Sequence, residues 1–301
     1  MNLRINPIIK KDLQVTVRNM RFSWALFAYE GVLALAFLMA LAVIKEENSG
    51  IYGSTNFYSE LIYLFPIIGI VQVCIVTLIV PIITASAISG EKERQTFDIM
   101  LTTCMSPFTI VVGKVFSAVL RILFFVAAGM PVMALSFVVG GLNWSNLFYF
   151  VLTIILLSVL SGSIGIFCSS FCRRSIAAVI FSYAWYFVIY IMTFVPSIMR
   201  RLWWEETSMG ETMLFWLFNP IIFFEEFFMQ MMTGESLFGT QGSRFTRNEV
   251  GDYTYYLSQG KEWLFLSAAC ILLMSVLFMY VAAWKVNPMH SFTIKLRKIK
   301  H

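Results

Sequence analysis

Six long apolar runs, separated by shorter polar segments, set the pattern of this chain. Each run reaches about 20 residues, the length that an α-helix needs to cross the hydrocarbon core of a bilayer. The runs are Phe22–Ile44, Leu61–Ile88, Val115–Val139, Leu147–Phe171, Ile176–Val195 and Trp263–Trp284. They are continuous, unlike the alternating ten-residue strands of a membrane β-barrel. The pattern predicts an all-α membrane protein with six transmembrane helices, here called spans 1 to 6.

A seventh apolar run, Met213 to Met232, has features that argue against a span. Asn219-Pro220 lies in its middle, and Glu225-Glu226 follows soon after. Proline interrupts the hydrogen-bond ladder of a helix, and two adjacent carboxylates at the centre of a bilayer are costly. We therefore predict a re-entrant or interfacial pair of short helices between spans 5 and 6.

The segment before span 1, residues 1–21, carries the pattern of an amphipathic helix. Asn6 and Pro7 suit the start of a helix. One apolar stripe follows at helical spacing, formed by Ile9, Leu13, Val17 and Met20. Basic and polar residues lie beside it, which favours a helix in the membrane interface. The alternative is a cytosolic helix packed on a partner.

Composition supports a membrane protein. Apolar residues make up 59 % of the 301 residues, charged residues 13 %, and the mean hydropathy is +0.78. Soluble domains carry about 25 % charged residues, so this chain lacks the polar groups to cover a water-soluble fold. We expect residues 1–301 to form a single transmembrane domain in the lipid bilayer, with no nucleic acid partner.

The distribution of basic residues predicts the orientation. With six spans, 15 of the 22 Lys and Arg residues fall on one side, and only six fall on the other beside twelve acids. Cytosolic loops carry the excess of Lys and Arg. Both termini and the loop 89–114 should thus be cytosolic, and the region 196–262 extracytoplasmic. We expect a multi-pass protein of the plasma membrane, in a bacterium.

Several chemistries are excluded by what the chain lacks. Its two histidines, His290 and His301, both lie in the C-terminal tail, which leaves no intramembrane histidine for a zinc site or for catalysis. The five cysteines fall in apolar spans or in a predicted cytosolic loop, where a disulfide framework is not expected. No catalytic or metal-binding constellation is present in the sequence.

The loop between spans 2 and 3 has a two-faced pattern. Gly90 is placed to end span 2, and Pro107 to end a following helix. The predicted helix Glu91–Thr103 would carry charged residues on one face and apolar residues on another. The polar face, of mixed charge, comprises Glu91, Arg94, Asp98 and Thr102, and the apolar face Phe97, Met100, Leu101 and Cys104. Such a helix is suited to docking on a partner.

This loop resembles that of type-2 ATP-binding-cassette (ABC) exporter permeases. The shared residues are Gly90, Glu91, Glu93, Arg94, Thr96, Asp98 in place of Glu, Met100 to Thr103, and Gly113-Lys114. The chain departs at Gln95, where the family prefers Gly, and at Cys104, where Pro is usual. The resemblance extends over nearly the whole chain, through the interfacial helix, the six spans and the region between spans 5 and 6.

The resemblance implies that this loop is the coupling helix to a separate ATPase subunit. It assigns coupling to Glu91, Glu93, Arg94, Phe97, Asp98, Met100 and Leu101. It also implies a second permease, either another copy of the chain or a homologue. Gly113-Lys114 does not open a phosphate loop, because Phe108 replaces the first Gly and Val115 replaces the Ser or Thr. ATP and Mg should therefore be bound by the partner, and this chain should not be an enzyme.

Two ionisable residues fall inside predicted spans. Glu30 lies in span 1 and Arg121 in span 3, about 12 Å and 9 Å from the assumed cytosolic boundaries of their helices. Buried charges pair with one another or line water. An ion pair between the two, an Arg121 that snorkels to the cytosol, and a structural role for Glu30 all stay open.

Span 5 carries tyrosines at helical spacing, at Tyr183, Tyr186 and Tyr190. The resemblance implies that spans 2 and 5 line a pathway, where these hydroxyls would suit amphipathic cargo. The alternative is that they face lipid or the core. Small residues in span 4, among them Ser161, Gly165 and Ser169, indicate close helix packing.

Two functions fit these features. The first is the permease subunit of an ABC exporter. The second is a membrane scaffold or sensor that uses the same fold without transport.

Overall fold

The structure is a computed structural model that describes residues 14–16, 18–47, 61–97, 106–140, 144–195, 198–199, 214–234, 236 and 262–287. Seven helices make up most of this part of the chain. They are α1 (Met20–Glu47), α2 (Leu64–Glu93), α3 (Pro107–Gly140), α4 (Trp144–Phe171), α5 (Ser175–Met192), α6 (Pro220–Thr233) and α7 (Glu262–Val286). A single 3-10 turn, Leu61–Tyr63, leads into α2.

Six of the helices are long and apolar enough to cross a membrane, which confirms the predicted number of spans within the described residues. Helices α1 to α5 are spans 1 to 5, and α7 is span 6. Their ends differ from the predicted ones, most of all for α3, which begins at Pro107 instead of Val115. An apolar run marks only the part of a helix that can lie in the hydrocarbon core of the bilayer. The backbone hydrogen bonds of the helix continue beyond it, until a residue that ends the helix.

Helix α4 lies at the centre of the bundle. In the most apolar 18-residue stretch of α4, 67 % of the residues are buried inside the protein. The corresponding stretches of α5 and α1 have only 17 % and 22 % of their residues buried. Small side chains allow α2 to approach it closely. A Cβ atom at Gly165 would overlap the Thr84 hydroxyl and meet the backbone of Ala85 at 3.2 Å. The prediction that the small residues of span 4 serve packing is confirmed.

Helix α6 is held among the spans by an aromatic cluster. The rings of Phe65 on α2, Phe150 on α4 and Phe228 on α6 have centroids 5.4 to 6.1 Å apart. Gly69 makes room for this contact, because a Cβ there would lie 2.6 Å from the Phe228 ring. With 14 residues α6 is about 21 Å long, too short to cross a bilayer.

The start of α6 explains why the seventh apolar run is not one helix. Residues 214–216 are helical, the chain turns at 217–218, and α6 begins at Pro220. Asn219 is the N-cap residue, and its side-chain oxygen accepts a hydrogen bond from the Ile221 N–H at 2.9 Å. At the other end Gly234, with φ 73°, closes the helix in the left-handed conformation.

The N-terminal segment is described only in part. Residues 14–16 are helical and the chain turns at 18–19, before α1 begins at Met20. Met20 thus belongs to span 1 and not to the predicted interfacial helix. Residues 1–13 and Val17, which carry most of that prediction, lie outside the described residues.

Candidate functional site

The end of α2 lies further along the chain than the loop pattern predicts. The helix continues through Gly90 to Glu93, so the prediction of a separate helix starting at Glu91 is wrong. Glycine lowers helix stability without ending the helix, and the stop comes at Gln95, whose φ is 59°. Gln95 N–H bonds to Lys92 O at 3.2 Å and Thr96 N–H to Glu91 O at 3.0 Å, the two bonds of a Schellman motif.

This turn fits a glycine at the position of Gln95, the residue that the resemblance to exporter permeases implies there. The left-handed conformation suits Gly and costs other residues about 1–2 kcal/mol. Because the helix continues to this turn, Glu91 and Glu93 lie in the last turn of a transmembrane helix. They are thereby directed at neighbouring helices of the same chain.

Glu91 ties α2 to α3. The Lys114 ammonium lies 2.7 Å from Glu91 Oε1 in a half-buried ion pair. Lys114 is in the third turn of α3, so the pair joins the end of one span to the start of the next. In the sequence Lys114 belongs to the motif Gly113-Lys114, and the structure gives that lysine a structural partner.

Lys92 and Glu93 tie α2 to the turn between α4 and α5. The Lys92 ammonium donates to the backbone oxygens of Ser169 and Ser170, at the C-terminal end of α4. Glu93 Oε2 accepts from the Ser175 hydroxyl at 2.8 Å and the Ser175 N–H at 3.3 Å, at the N-terminal end of α5. A cation at a helix C-terminus and an anion at an N-terminus both complement the helix dipole.

A serine hydroxyl completes this set of contacts. Ser169 Oγ accepts hydrogen bonds from the backbone N–H groups of Ile88 and Ser89, at 3.0 and 2.8 Å. We call the residues Glu91, Lys92, Glu93, Lys114, Ser169, Ser170 and Ser175 the junction. It joins four helices, α2, α3, α4 and α5, at one end of the bundle.

The other predicted coupling residues divide into three groups. Phe97 is half-buried against the apolar cluster around Ile88 and Val111, and the Lys92 ammonium lies 5.6 Å from its ring centroid. Arg94 is exposed. Asp98, Met100 and Leu101 lie outside the described residues. The apolar face predicted for docking is thus, at Phe97, packed on the chain itself.

Sequence reasoning missed Lys92, Ser169 and Ser175. Their partners are 77 to 82 residues away along the chain, so no local spacing reveals them. The feature of the sequence that could have indicated this role is the position of Lys92 between two acidic residues at the end of a span. A basic residue there commonly reaches the carbonyls of a helix end.

The three tyrosines of α5 face inward. The Tyr183 hydroxyl donates to the backbone oxygen of Leu78 on α2 at 2.6 Å, and Tyr186 is buried. The ring centroids of Tyr186 and Tyr190 are 5.5 Å apart. Tyr190 lines a cavity between α2, α4, α5 and α6, with a volume of about 620 Å³.

Asn219 fixes one wall of this cavity. Its side-chain amide donates to Thr193 Oγ1 at 2.7 Å and to Tyr190 O at 3.3 Å. The residue that caps α6 therefore also binds the end of α5. Pro220 and Ile221, which follow it, line the cavity directly.

Glu30 and Arg121 are not brought together. Glu30 has no ion pair or hydrogen bond in the described structure, and its Oε1 is buried. The Phe125 ring contacts Phe22 and Tyr29 of α1, with centroids 5.5 and 5.3 Å apart. Measured along the helix axes, Phe125 therefore lies between the levels of Phe22 and Tyr29. Glu30 follows Tyr29 on one side of the level of Phe125, and Arg121 lies one helical turn from Phe125 on the opposite side.

The hypothesis of an ion pair fails because the two depths were counted from unequal starting points. Spans 1 and 3 were each assumed to begin at the membrane boundary. The ring contacts show instead that Phe22 is near the level of Phe125, ten residues beyond Val115. Arg121 Nη2 lies 3.5 Å from the Ser117 hydroxyl on its own helix.

Comparison with known proteins agrees with this architecture. The family model described as ABC-2 family transporter protein matches residues 22–284, from the start of span 1 to the end of span 6. No curated protein matches the chain. The matched region contains every helix of the junction and of the cavity. The chain belongs to the ABC-2 transporter family and is a permease component of an ABC transporter.

Proposed function

We propose that this permease serves an exporter, and that it receives the motion of a separate ATPase subunit at the end of α2. The observation that carries the proposal is the junction. Glu91, Lys92 and Glu93 connect the last turn of α2 to α3, to α4 and to α5. A force applied to the loop after Gln95 would reach all four helices together.

The coupling segment in this proposal comprises residues 94–106, of which the structure describes 94–97 and 106. Arg94 is its exposed basic residue next to the junction, available for an acidic surface on the ATPase. Charge pairs of this kind set orientation and partner choice more than affinity. ATP and Mg belong to the ATPase, and the permease supplies the pathway. A second permease, identical or homologous, completes the assembly.

The re-entrant geometry of α6 also belongs to this proposal. The cap of α6 is bonded to α5 at Tyr190, which shares the cavity wall with Thr77 of α2. The other end of α6 packs by Phe228 on Gly69. Gly69 and Thr77 are eight residues apart, or about 12 Å along α2. Because α2 runs from the predicted outer side to the junction, the Asn219 end of α6 lies deeper than its Phe228 end by about this amount. This fits the second helix of a re-entrant pair that opens to the outer side.

The test is co-purification of an ABC ATPase subunit with the permease from its own host cell. Tagged permease should recover the ATPase in stoichiometric amount. Arg94→Glu should reduce the recovered ATPase at least tenfold, because it reverses the exposed charge of the coupling segment. Arg18→Glu is the matched control, since Arg18 is an exposed arginine just before α1, outside residues 94–106 and outside the junction.

Two outcomes would count against the proposal. Wild-type permease that recovers no ATPase would favour the scaffold or sensor function. Equal losses for Arg94→Glu and Arg18→Glu would place docking on the basic end of the bundle as a whole and not on residues 94–106.

A further inference from the structure

The cavity beside Tyr190 has the walls of a ligand site. It is formed by α2, α4, α5 and α6, and most of its lining is aliphatic or aromatic, including Leu78, Leu157 and Phe224. Its volume of about 620 Å³ falls in the range of sites that hold drug-sized molecules. An apolar molecule, or the apolar part of a larger one, fits such walls.

One carboxylate lies among these apolar residues. Of the described residues that line the cavity, Glu225 alone carries a formal charge. It is exposed, and no basic side chain in the described part of the chain pairs with it. The neighbouring Glu226 differs, because it is fully buried and accepts a hydrogen bond from Gln230 at 2.6 Å. Glu226 is held by its own helix, whereas Glu225 is available to a ligand.

The remaining polar groups are neutral. Thr77, Ser161 and Tyr190 bring hydroxyl-bearing side chains to the cavity, on α2, α4 and α5. Tyr190 also presents an aromatic ring, and the faces of aromatic rings attract ammonium and guanidinium groups. A carboxylate and a tyrosine at an otherwise apolar cavity favour a cation and disfavour an anion.

We propose that this cavity binds an amphipathic cation, a molecule with an apolar body and an ammonium or guanidinium head that pairs with Glu225. The proposal rests on the proposed function, since it names the class of cargo that the permease accepts. The apolar body lies against α2, α4 and Phe228, and the head lies at α6. Helix α6 then acts as the selecting wall, held in place by the bonds of Asn219 to α5.

The test is photo-crosslinking of the full-length permease in phosphatidylcholine nanodiscs. The probe is dodecyltrimethylammonium with a diazirine on its chain, and mass spectrometry maps the products. Crosslinks should fall on residues 70–78 of α2 and 221–229 of α6. Dodecyltrimethylammonium should compete with the probe at least tenfold more effectively than dodecyl sulfate, which has the same chain and the opposite charge.

Charge variants make the test specific. Glu225→Gln should remove the preference for the cation and leave weak labelling by the apolar chain. Glu262→Gln should keep the preference, because Glu262 is an exposed carboxylate at the start of α7, outside the cavity lining. Equal competition by the two detergents, or a preference that survives in Glu225→Gln, would overturn the proposal.

A second arm separates a lipid headgroup from a soluble amphiphile. The labelling is repeated in phosphatidylglycerol nanodiscs, which contain no choline. A Glu225-dependent increase there would identify the choline headgroup as the cation that occupies the site. Unchanged Glu225-dependent labelling would identify a soluble amphiphile. No ATPase or ATP is needed, so failure of this assay is distinct from failure of the assembly test.

Discussion

At the level of single residues, three consecutive side chains at the end of α2 bind it to its neighbouring helices. Glu91, Lys92 and Glu93 point to three different neighbours because successive residues of a helix are 100° apart. Each finds a partner of complementary charge or a helix end. A single turn of helix thereby connects four helices.

The ion pair between Glu91 and Lys114 gives the first prediction. Glu91→Gln should lower the free energy of unfolding by about 1.5–3 kcal/mol, the range for a hydrogen bond to a charged group. Glu91→Lys should cost more, since it places two ammonium groups together. The exchange of charges, Glu91→Lys with Lys114→Glu, should recover part of that loss. Thermal unfolding in detergent micelles measures all three.

The control for this cycle is Glu262→Gln, a change to an exposed carboxylate without a described ion-pair partner. It should stay within about 1 kcal/mol of the wild type. If the double exchange were as unstable as the sum of its two single changes, the pair would contribute nothing by itself.

The second prediction concerns the left-handed turn. Gln95→Gly should raise the free energy of unfolding by up to about 1 kcal/mol, because glycine adopts a φ of 59° without strain. Gln95→Val should lower it, since a β-branched residue is strained at positive φ. Chemical denaturation of the three proteins measures the order. A Val variant as stable as the Gly variant would contradict the turn described here.

At the scale of elements, the contact between α2 and α4 sets the geometry of both candidate sites. It runs from the Ser169 hydroxyl at the junction to Gly165 beside Thr84, and on to the aromatic cluster at Phe150. Both the junction and the cavity include residues of these two helices. A change in their separation would therefore alter coupling and ligand binding together.

Gly165 supplies the third prediction. Gly165→Ala should destabilise the protein by about 1–3 kcal/mol, the usual cost of overpacking, since the new methyl group meets Thr84 and the backbone of Ala85. Thr84→Gly in the same chain should restore part of the loss. Gly31→Ala on α1 is the matched control, because nothing lies within 4 Å of a Cβ there. Melting temperatures in micelles report the effect.

The control should be neutral or stabilising, as expected for alanine in place of glycine inside a helix. Equal losses at Gly165 and Gly31 would mean that the cost arises from helix backbone effects and not from the close approach of α2 to α4.

At the scale of the whole molecule, the six spans could be predicted because apolar run length is a local property of the sequence. That the run Met213 to Met232 forms no span in the described residues was equally local, since Asn219-Pro220 and Glu225-Glu226 indicated it. The cap at Asn219 could be anticipated for the same reason. The shift of one helix along another could not be predicted, because hydropathy does not fix it. Glu30 and Arg121 are the example, since their spans are shifted relative to each other and the two side chains do not meet.

The junction was only half predictable. The family resemblance drew attention to Glu91 and Glu93, but the assumption that Gly90 ends span 2 turned them outward to a partner. Only the tertiary structure shows Lys92 on the end of α4 and Glu93 on the start of α5. The cavity depends on four helices distant in sequence, and no single pattern in the chain encodes it.

In the proposed coupling, the end of α2 moves together with the start of α5 when the ATPase turns over. The most direct measurement uses spin labels in the purified complex, with and without nucleotide trapped by vanadate. One pair of labels replaces Thr96 and Ile176, which are both exposed and lie on the two sides of the junction, so that Arg94 stays intact. A second pair replaces Thr96 and Trp24, an exposed residue near the start of α1.

We expect nucleotide to change the distance from position 96 to position 24 and to leave the distance from position 96 to position 176 unchanged. In Glu93→Gln the distance from position 96 to position 176 should become broadly distributed, because the bonds to Ser175 are weakened. A nucleotide-dependent change between positions 96 and 176 in the wild-type junction, with no change relative to position 24, would contradict this coupling.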